Sequence, residues 1–370
     1  MGRGRGRAVS LLVVSVVTLA TSVPAISGVT GDIDSLTLRQ KVGQLVMFSV
    51  AGRSLTSSER DAIKRLHLGG VILFSKNYAS RTQLDALTTQ IQRAARRGNP
   101  LGLGALISVD QEGGVVKRFP DMPPRYSHPQ LGEINRKSLA FDQGRATGWA
   151  LGHHGVNVNL APVADLDLPP SHVMRERSFG WGRYRVARLA NSFARGLQSR
   201  RVAATAKHFP GFGGATINSD FGRAYIHRSR RRLRRVDAVP FHRVISGGIR
   251  MIMLSHGMYV NDGGRVPASM SRYIATKRLR KEFGFKGVAI SDALESVNWR
   301  FGGSTAKACK QTIRAGVDIA LIVGGIGTAR ACSWHIRKGV REGDISKARL
   351  HYALRRVLEL KEWLGLYNPG

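Results

Sequence analysis

Residues 287–294 read Gly287-Val288-Ala289-Ile290-Ser291-Asp292-Ala293-Leu294, a short apolar run closed by a serine and a carboxylate. Taken alone, the Ser-Asp pair reads as the cap of a following helix. It does not stand alone. Seven similar runs precede or follow it: Gln44 to Val50, Val71 to Phe74, Ala105 to Val109, Val156 to Leu160, Val202 to Ala206, Ile249 to Leu254 and Asp318 to Val323. With Val288 to Ser291 they make eight. Their near-continuous hydrophobicity, rich in Val and Ile, is the pattern of parallel strands covered on both faces. Helical stretches lie between most of them. One begins with a Thr56/Glu59 capping box, and another, Ile345 to Leu364, places Leu350, Leu354, Val357 and Leu358 on one face. No repeat or long Pro/Gly/Ser linker interrupts the alternation. The chain is therefore expected to be α/β, a single (β/α)8 TIM barrel over residues 35–366. A chain of 370 residues with 42% hydrophobic content can fill such a core.

A barrel assembles its site from residues at strand C-termini, so the strand list yields functional candidates. Asp110-Gln111-Glu112-Gly113-Gly114 follows the third run. Asn159, Ala161-Pro162 and Asp165 follow or close the fourth, and Lys207-His208-Phe209-Pro210-Gly211 follows the fifth. Ser255-His256 follows the sixth and Asp292 the seventh. Solvated helix caps do not explain five ionisable strand ends sent to one face. Carboxylates that accept from hydroxyls, together with Lys and Arg that donate to oxygens, suit a polyhydroxyl substrate.

The amino terminus reads differently. Arg3, Arg5 and Arg7 precede an apolar run from Ala8 to about Ala20, and small residues follow around Pro24, Ala25 and Ser27. That is the layout of a signal peptide, assigned to residues 1–27, and it predicts a secreted protein, extracellular or held at the cell wall. The run is short for a membrane span of about 20 residues, so no membrane span is expected after cleavage. The formal charge is +34, and removing the leader's three arginines leaves +31. Such a field attracts anionic polymers, wall polymers among them. The densest stretch, His227 to Arg235, runs into Val236, Val239, Phe241, Val244 and Ile245 at near-helical spacing, so it reads as the solvated start of an amphipathic helix. No specific nucleic-acid partner is expected. Only Cys309 and Cys332 are present. One bridge or two buried thiols fits the pair equally. No Cys or His cluster has ligand spacing, so neither a metal nor another cofactor is expected, and the protein is expected to be a monomer.

The ordered set of strand-end motifs resembles family 3 glycoside hydrolases, specifically their single-domain β-N-acetylhexosaminidases acting on bacterial wall sugars. The motifs are Val109-Asp110-Gln111-Glu112-Gly113-Gly114, Val158-Asn159-Leu160-Ala161-Pro162-Val163-Ala164-Asp165, Arg177-Ser178-Phe179-Gly180, Lys207-His208-Phe209-Pro210-Gly211, Pro267-Ala268-Ser269 and Gly287 to Leu294. The likeness implies removal of terminal β-linked N-acetylhexosamine with retention of configuration. It makes Asp292 the nucleophile, and it makes Asp110, Arg118, Arg177, Lys207 and His208 sugar-holding residues. A purely structural reading pairs Arg177 with Asp165 beneath the site.

The sequence departs from that family in the loop after the fifth strand, where an Asp-x-His dyad serves as general acid/base. Here the chain reads Asn218-Ser219-Asp220, and Phe212 and Gly214 replace a His and an Asp. Asp220 is the remaining candidate proton donor, provided its surroundings favour the protonated carboxyl. Two alternatives follow. One is a β-glucosidase or a transglycosylating relative that keeps Asp292. The other is a non-catalytic basic protein that holds wall glycan in a decayed site.

Overall fold

The computed structural model describes residues 1–2 and 26–369, so most of the expected leader lies outside the described residues. Eight strands form one parallel sheet: β1 (Val46–Ser49), β2 (Gly70–Leu73), β3 (Leu106–Val109), β4 (Val158–Asn159), β5 (Ala203–Phe209), β6 (Met251–Leu254), β7 (Val288–Ser291) and β8 (Ala320–Leu321). Neighbours in sequence are neighbours in space, and β1 also pairs with β8 through Val46↔Ala320 and Met47↔Leu321. The ring closes between β7 and the residues entering β8, where Ile290 bridges Ile319 and the Ser291 N–H donates to the Ile319 carbonyl at 3.0 Å. Helical segments connect the strands, so the architecture is a (β/α)8 barrel. Each sequence run predicted as a strand overlaps one of the eight.

The boundaries differ where polar residues sit inside strands. β5 continues through Lys207 and His208, which had been expected just beyond its end. It does so because Lys207 bridges Val163 and Phe209 pairs with Leu254, across a register shift after Ala206. At the other end of the barrel Gln44 stays outside β1. Its amide donates to the His67 carbonyl at 2.8 Å and accepts from the buried Lys361 ammonium at 2.6 Å.

The Thr56/Glu59 box forms as expected and starts the helix Ser57–Leu66, with Glu59 Oε2 accepting from the Thr56 N–H at 2.9 Å. The last helix, Lys347–Trp363, buries Leu350, Leu354, Val357 and Leu358. The basic stretch is less regular than one amphipathic helix. It forms a turn of α-helix at Arg230–Arg232, a π-helical segment at Leu233–Asp237 and then the helix Val239–Ser246. Arg228 is drawn inward, where its Nε donates to Asp237 at 2.9 Å, while Arg230, Arg231, Arg232, Arg234 and Arg235 are exposed. Asp318, at the amino-terminal mouth of the barrel, accepts from Arg280 at 2.5 Å, Arg349 at 3.0 Å and Arg356 at 3.2 Å. This cluster is at the stability face of a barrel, away from the strand ends that carry chemistry.

Cys309 and Cys332 are bridged, with Cα atoms 5.7 Å apart, which joins the helix Thr305–Ala315 to the helix Ile326–Arg341. Among the described residues no helix is long and apolar enough to cross a membrane.

Candidate active site

At the carboxyl ends of the strands lies a cavity of about 280 Å³. Its walls include Asp110, Arg118, Arg177, Lys207, His208, Asp220 and Asp292, so the barrel brings all seven residues singled out in the sequence to one place. The size is near the lower limit of small-ligand sites, about 300 Å³, and matches a single ring better than an oligomer.

One wall is a buried ion network. The Lys207 ammonium, on β5, lies 2.5 Å from Asp110 Oδ1 and 2.7 Å from Glu112 Oε1. Arg177 grips Glu112 with both arms of its fork, Nε to Oε2 at 3.0 Å and Nη2 to Oε1 at 2.7 Å. Arg177 thus pairs with Glu112, not with Asp165 as a structural reading of the sequence supposes. Glu112 sits beside Asp110 in the same strand-end motif, but no spacing reveals which carboxylate a distant arginine will find. Burial pushes the Glu112 carboxyl up. The Arg177 and Lys207 charges overcome that and hold it well below the ordinary range. Burial likewise pushes Lys207 down, but Asp110 and Glu112 lift it above its usual value. Both partners stay charged, and the donors and acceptors of this wall are fixed before any ligand arrives.

A second network sets His208 and the following loop. Asp165, wholly buried, accepts at Oδ2 from the His208 N–H at 2.9 Å and from Nδ1 at 2.6 Å. At Oδ1 it accepts from the Phe212 N–H at 2.6 Å. The contact at Nδ1 fixes the orientation of the His208 ring in the cavity wall. Gly213 then presses against the loop after β4, where a Cβ would stand 1.9 Å from the Leu166 carbonyl oxygen. The loop cannot lift there without losing that contact. It carries Asn218, Ser219 and Asp220 back over the cavity. Asn218 Oδ1 accepts from the Asp220 N–H at 3.1 Å, and the Asp220 carboxylate accepts from Ser296 Oγ at 2.9 Å, across the mouth from the segment after β7.

Asp292 follows β7 and is partly open to the cavity. Its Oδ1 accepts from the Ala293 N–H at 2.8 Å. His256 braces the turn behind it, with Nδ1 2.8 Å from Ser269 Oγ and Nε2 2.8 Å from the Ala293 carbonyl. Burial pushes the Asp292 carboxyl up, but the positive potential from His208, His256 and Lys207, with the Ala293 N–H, holds it below its ordinary value. The group is an ionised carboxylate on the cavity floor, suited to attack an electrophilic carbon or to stabilise a positive one.

Other strand-end residues serve as scaffold. The Asn159 amide accepts from the Gln111 N–H and donates to its carbonyl, both at 3.1 Å, clasping the end of β3 to β4. The Gln111 side chain in turn accepts from the Phe119 N–H at 3.0 Å and donates to the Phe119 and Pro123 carbonyls at 2.9 and 3.0 Å. These bonds hold the hairpin of Gln111–Gly113 and Val116–Lys117, and with it Arg118, against the cavity.

Comparison with known proteins agrees with this geometry. A protein of Nitrosomonas eutropha named beta-hexosaminidase is 37% identical over 287 residues, covering 75% of this chain and 80% of its own. An Arthroderma benhamiae protein named as a secreted glycosyl hydrolase is 32% identical over 90% of this chain and 95% of its own. The solved structure of a family 3 β-N-acetylglucosaminidase from Paenibacillus sp. superposes with a TM-score of 0.85 at 32% identity. The match covers 90% of this chain but only 63% of that longer one. The profile described as "Glycosyl hydrolase family 3 N terminal domain" matches residues 37–360, and on that match the chain belongs to glycosyl hydrolase family 3.

Proposed function

We propose that this protein is a secreted, retaining, exo-acting β-N-acetylhexosaminidase that removes terminal β-linked N-acetylhexosamine from cell-wall-derived or related glycans. The observation that carries the reading is the meeting of an ionised, cavity-facing Asp292 and the loop carboxylate of Asp220 over a ring-sized cavity. Asp110, Arg118, Arg177, Lys207 and His208 hold the sugar through its hydroxyls. The Asp292 carboxylate attacks the anomeric carbon. Asp220, as the acid, passes its proton to the glycosidic oxygen, and the aglycone leaves as an alcohol. Asp220, now a carboxylate, takes a proton from water. The resulting attack on the anomeric carbon releases the sugar with its configuration retained and frees Asp292. The domain comprises residues 35–366. Residues 1–27 form the leader, and its cleavage releases a monomer whose basic surface is drawn to anionic wall polymers. Export is supported by the Cys309–Cys332 bridge, since such bonds persist in oxidising compartments, and by the name of the fungal relative.

Aryl β-N-acetylglucosaminides of graded leaving-group ability test the assignment. In Asp220→Asn, poor leaving groups should lose on the order of a hundredfold or more in kcat/KM while activated ones lose little, because only the former need the proton. An equal loss across the series removes Asp220 from that role. Absence of turnover by the wild-type protein, with salt-sensitive binding of wall fragments, replaces the enzyme with a wall-glycan-binding protein.

A further inference from the structure

Beside the cavity, against β2 and β3, runs an open groove walled by Arg53, Ser75, Tyr78, Arg81, Lys117 and Arg118. Its one carboxylate, Asp121, is engaged within the wall, accepting from the Tyr78 hydroxyl at 2.6 Å and from Arg81 Nε at 3.1 Å. Among the described residues, Arg53, Lys117 and Arg118 form no ion pair. Arg118 belongs to the groove and to the sugar cavity alike. Its guanidinium lies over the Phe74 ring at 5.6 Å, and its Nε is closed off from solvent without an acceptor. An arginine with a desolvated, unbonded donor is poorly satisfied, and an anion offered to its fork gains a charge-assisted bond.

The barrel sets the direction of this groove. β3 and β7 stand four strands apart in a ring of eight, so Asp110 and Arg118 face Asp292 from the opposite side. A sugar with its anomeric carbon at Asp292 turns its far edge toward Asp110, Lys207 and Arg118. A substituent on that edge passes Arg118 into the groove. We infer that this groove is an anion subsite that takes a phosphate or carboxylate carried on the edge of the sugar remote from the scissile bond, so that the enzyme favours acidic hexosamines. Only the orientation of the sugar rests on the glycosidase reading. The Arg118 fork bridges ring and anion, Lys117 and Arg53 complete the charge, and Arg81 neutralises Asp121.

Binding to the full chain is measured by calorimetric titration with N-acetylglucosamine, its 6-phosphate and N-acetylglucosaminuronic acid. The wild-type protein is expected to bind at least one of the acidic sugars on the order of tenfold tighter than the neutral one, the scale of one charge-assisted hydrogen bond. Preference for the phosphate or for the carboxylate identifies which group the subsite takes. In the double variant Arg53→Gln/Lys117→Gln the ratio of acidic to neutral affinity should fall toward one. In Arg231→Gln/Arg235→Gln, on the exposed basic turn elsewhere, it should persist. Equal affinity for all three sugars in the wild-type protein overturns the inference. So does an equal fall of the ratio in both double variants, which would make the preference a property of the whole surface charge. A preference retained without any glycoside turnover would remove the enzyme reading and leave the subsite. Turnover of neutral aryl glycosides without a preference would do the reverse.

Discussion

Glu112 shows how a residue that touches no catalytic atom can decide whether the site exists. It is the shared counter-ion of Lys207 and Arg177, and all three are largely withdrawn from water. Glu112→Gln keeps the volume but leaves two buried cations with Asp110 as the one nearby carboxylate of the network. A loss of about 3–5 kcal/mol is expected in urea unfolding. The pH dependence follows from the sign of the shift. Glu112 is held below its unfolded value of about 4.3, so its contribution is complete above that pH and is lost as pH falls toward the folded value. The stability gap between wild type and Glu112→Gln should therefore be level near neutrality and narrow on acidification below about pH 4.3. A gap that widens there would contradict the assignment. The partnership itself was not legible in the sequence. Arg177 is 65 residues from Glu112 and only 12 from Asp165, yet the chain brings it to the distant carboxylate and gives the nearer one to His208. Asp110, Lys207, His208 and Asp292 were legible as cavity residues, because parallel strands send their carboxyl ends to one face, whereas Arg118, Arg177 and Asp220 followed from the family resemblance.

At the scale of elements, the eight runs identified the strands because buried parallel strands leave little room for polar residues. The same logic misplaced the end of β5. Lys207 and His208 read as strand terminators, but their side chains have counter-ions inside the barrel and the backbone stays paired. The helix pair joined by Cys309 and Cys332 carries its own test. A sequence reports the separation of two cysteines and not the distance between two helix axes, so pairing was open until the 5.7 Å Cα separation was seen. A bridge closing a loop of 23 residues contributes about 3 kcal/mol through the unfolded chain. The Cys309→Ala/Cys332→Ala variant should lose roughly that amount in chemical unfolding. Reductant should lower the wild-type midpoint and leave the variant unaffected. Equal sensitivity of both proteins to reductant would show that the bridge does not form.

For the whole molecule the formal charge of +34 dominates behaviour away from the site. Retention on an anionic wall fraction should weaken steeply between about 0.1 and 1 M salt, as the screening length shrinks from about 10 Å to about 3 Å. Hydrolysis of a neutral aryl glycoside should change far less, since the ion pairs that shape the cavity are buried and poorly screened. Salt-independent retention would point instead to a specific contact. The proposed retaining reaction turns on one carboxylate, Asp292. A fluorinated N-acetylglucosaminide that slows breakdown of the glycosyl-enzyme, followed by proteolysis and mass spectrometry, tests the nucleophile directly. One sugar per chain is expected, carried on the peptide containing Asp292 and absent from Asp292→Asn. A label on any other carboxylate, or turnover by Asp292→Asn at the wild-type rate, would contradict it.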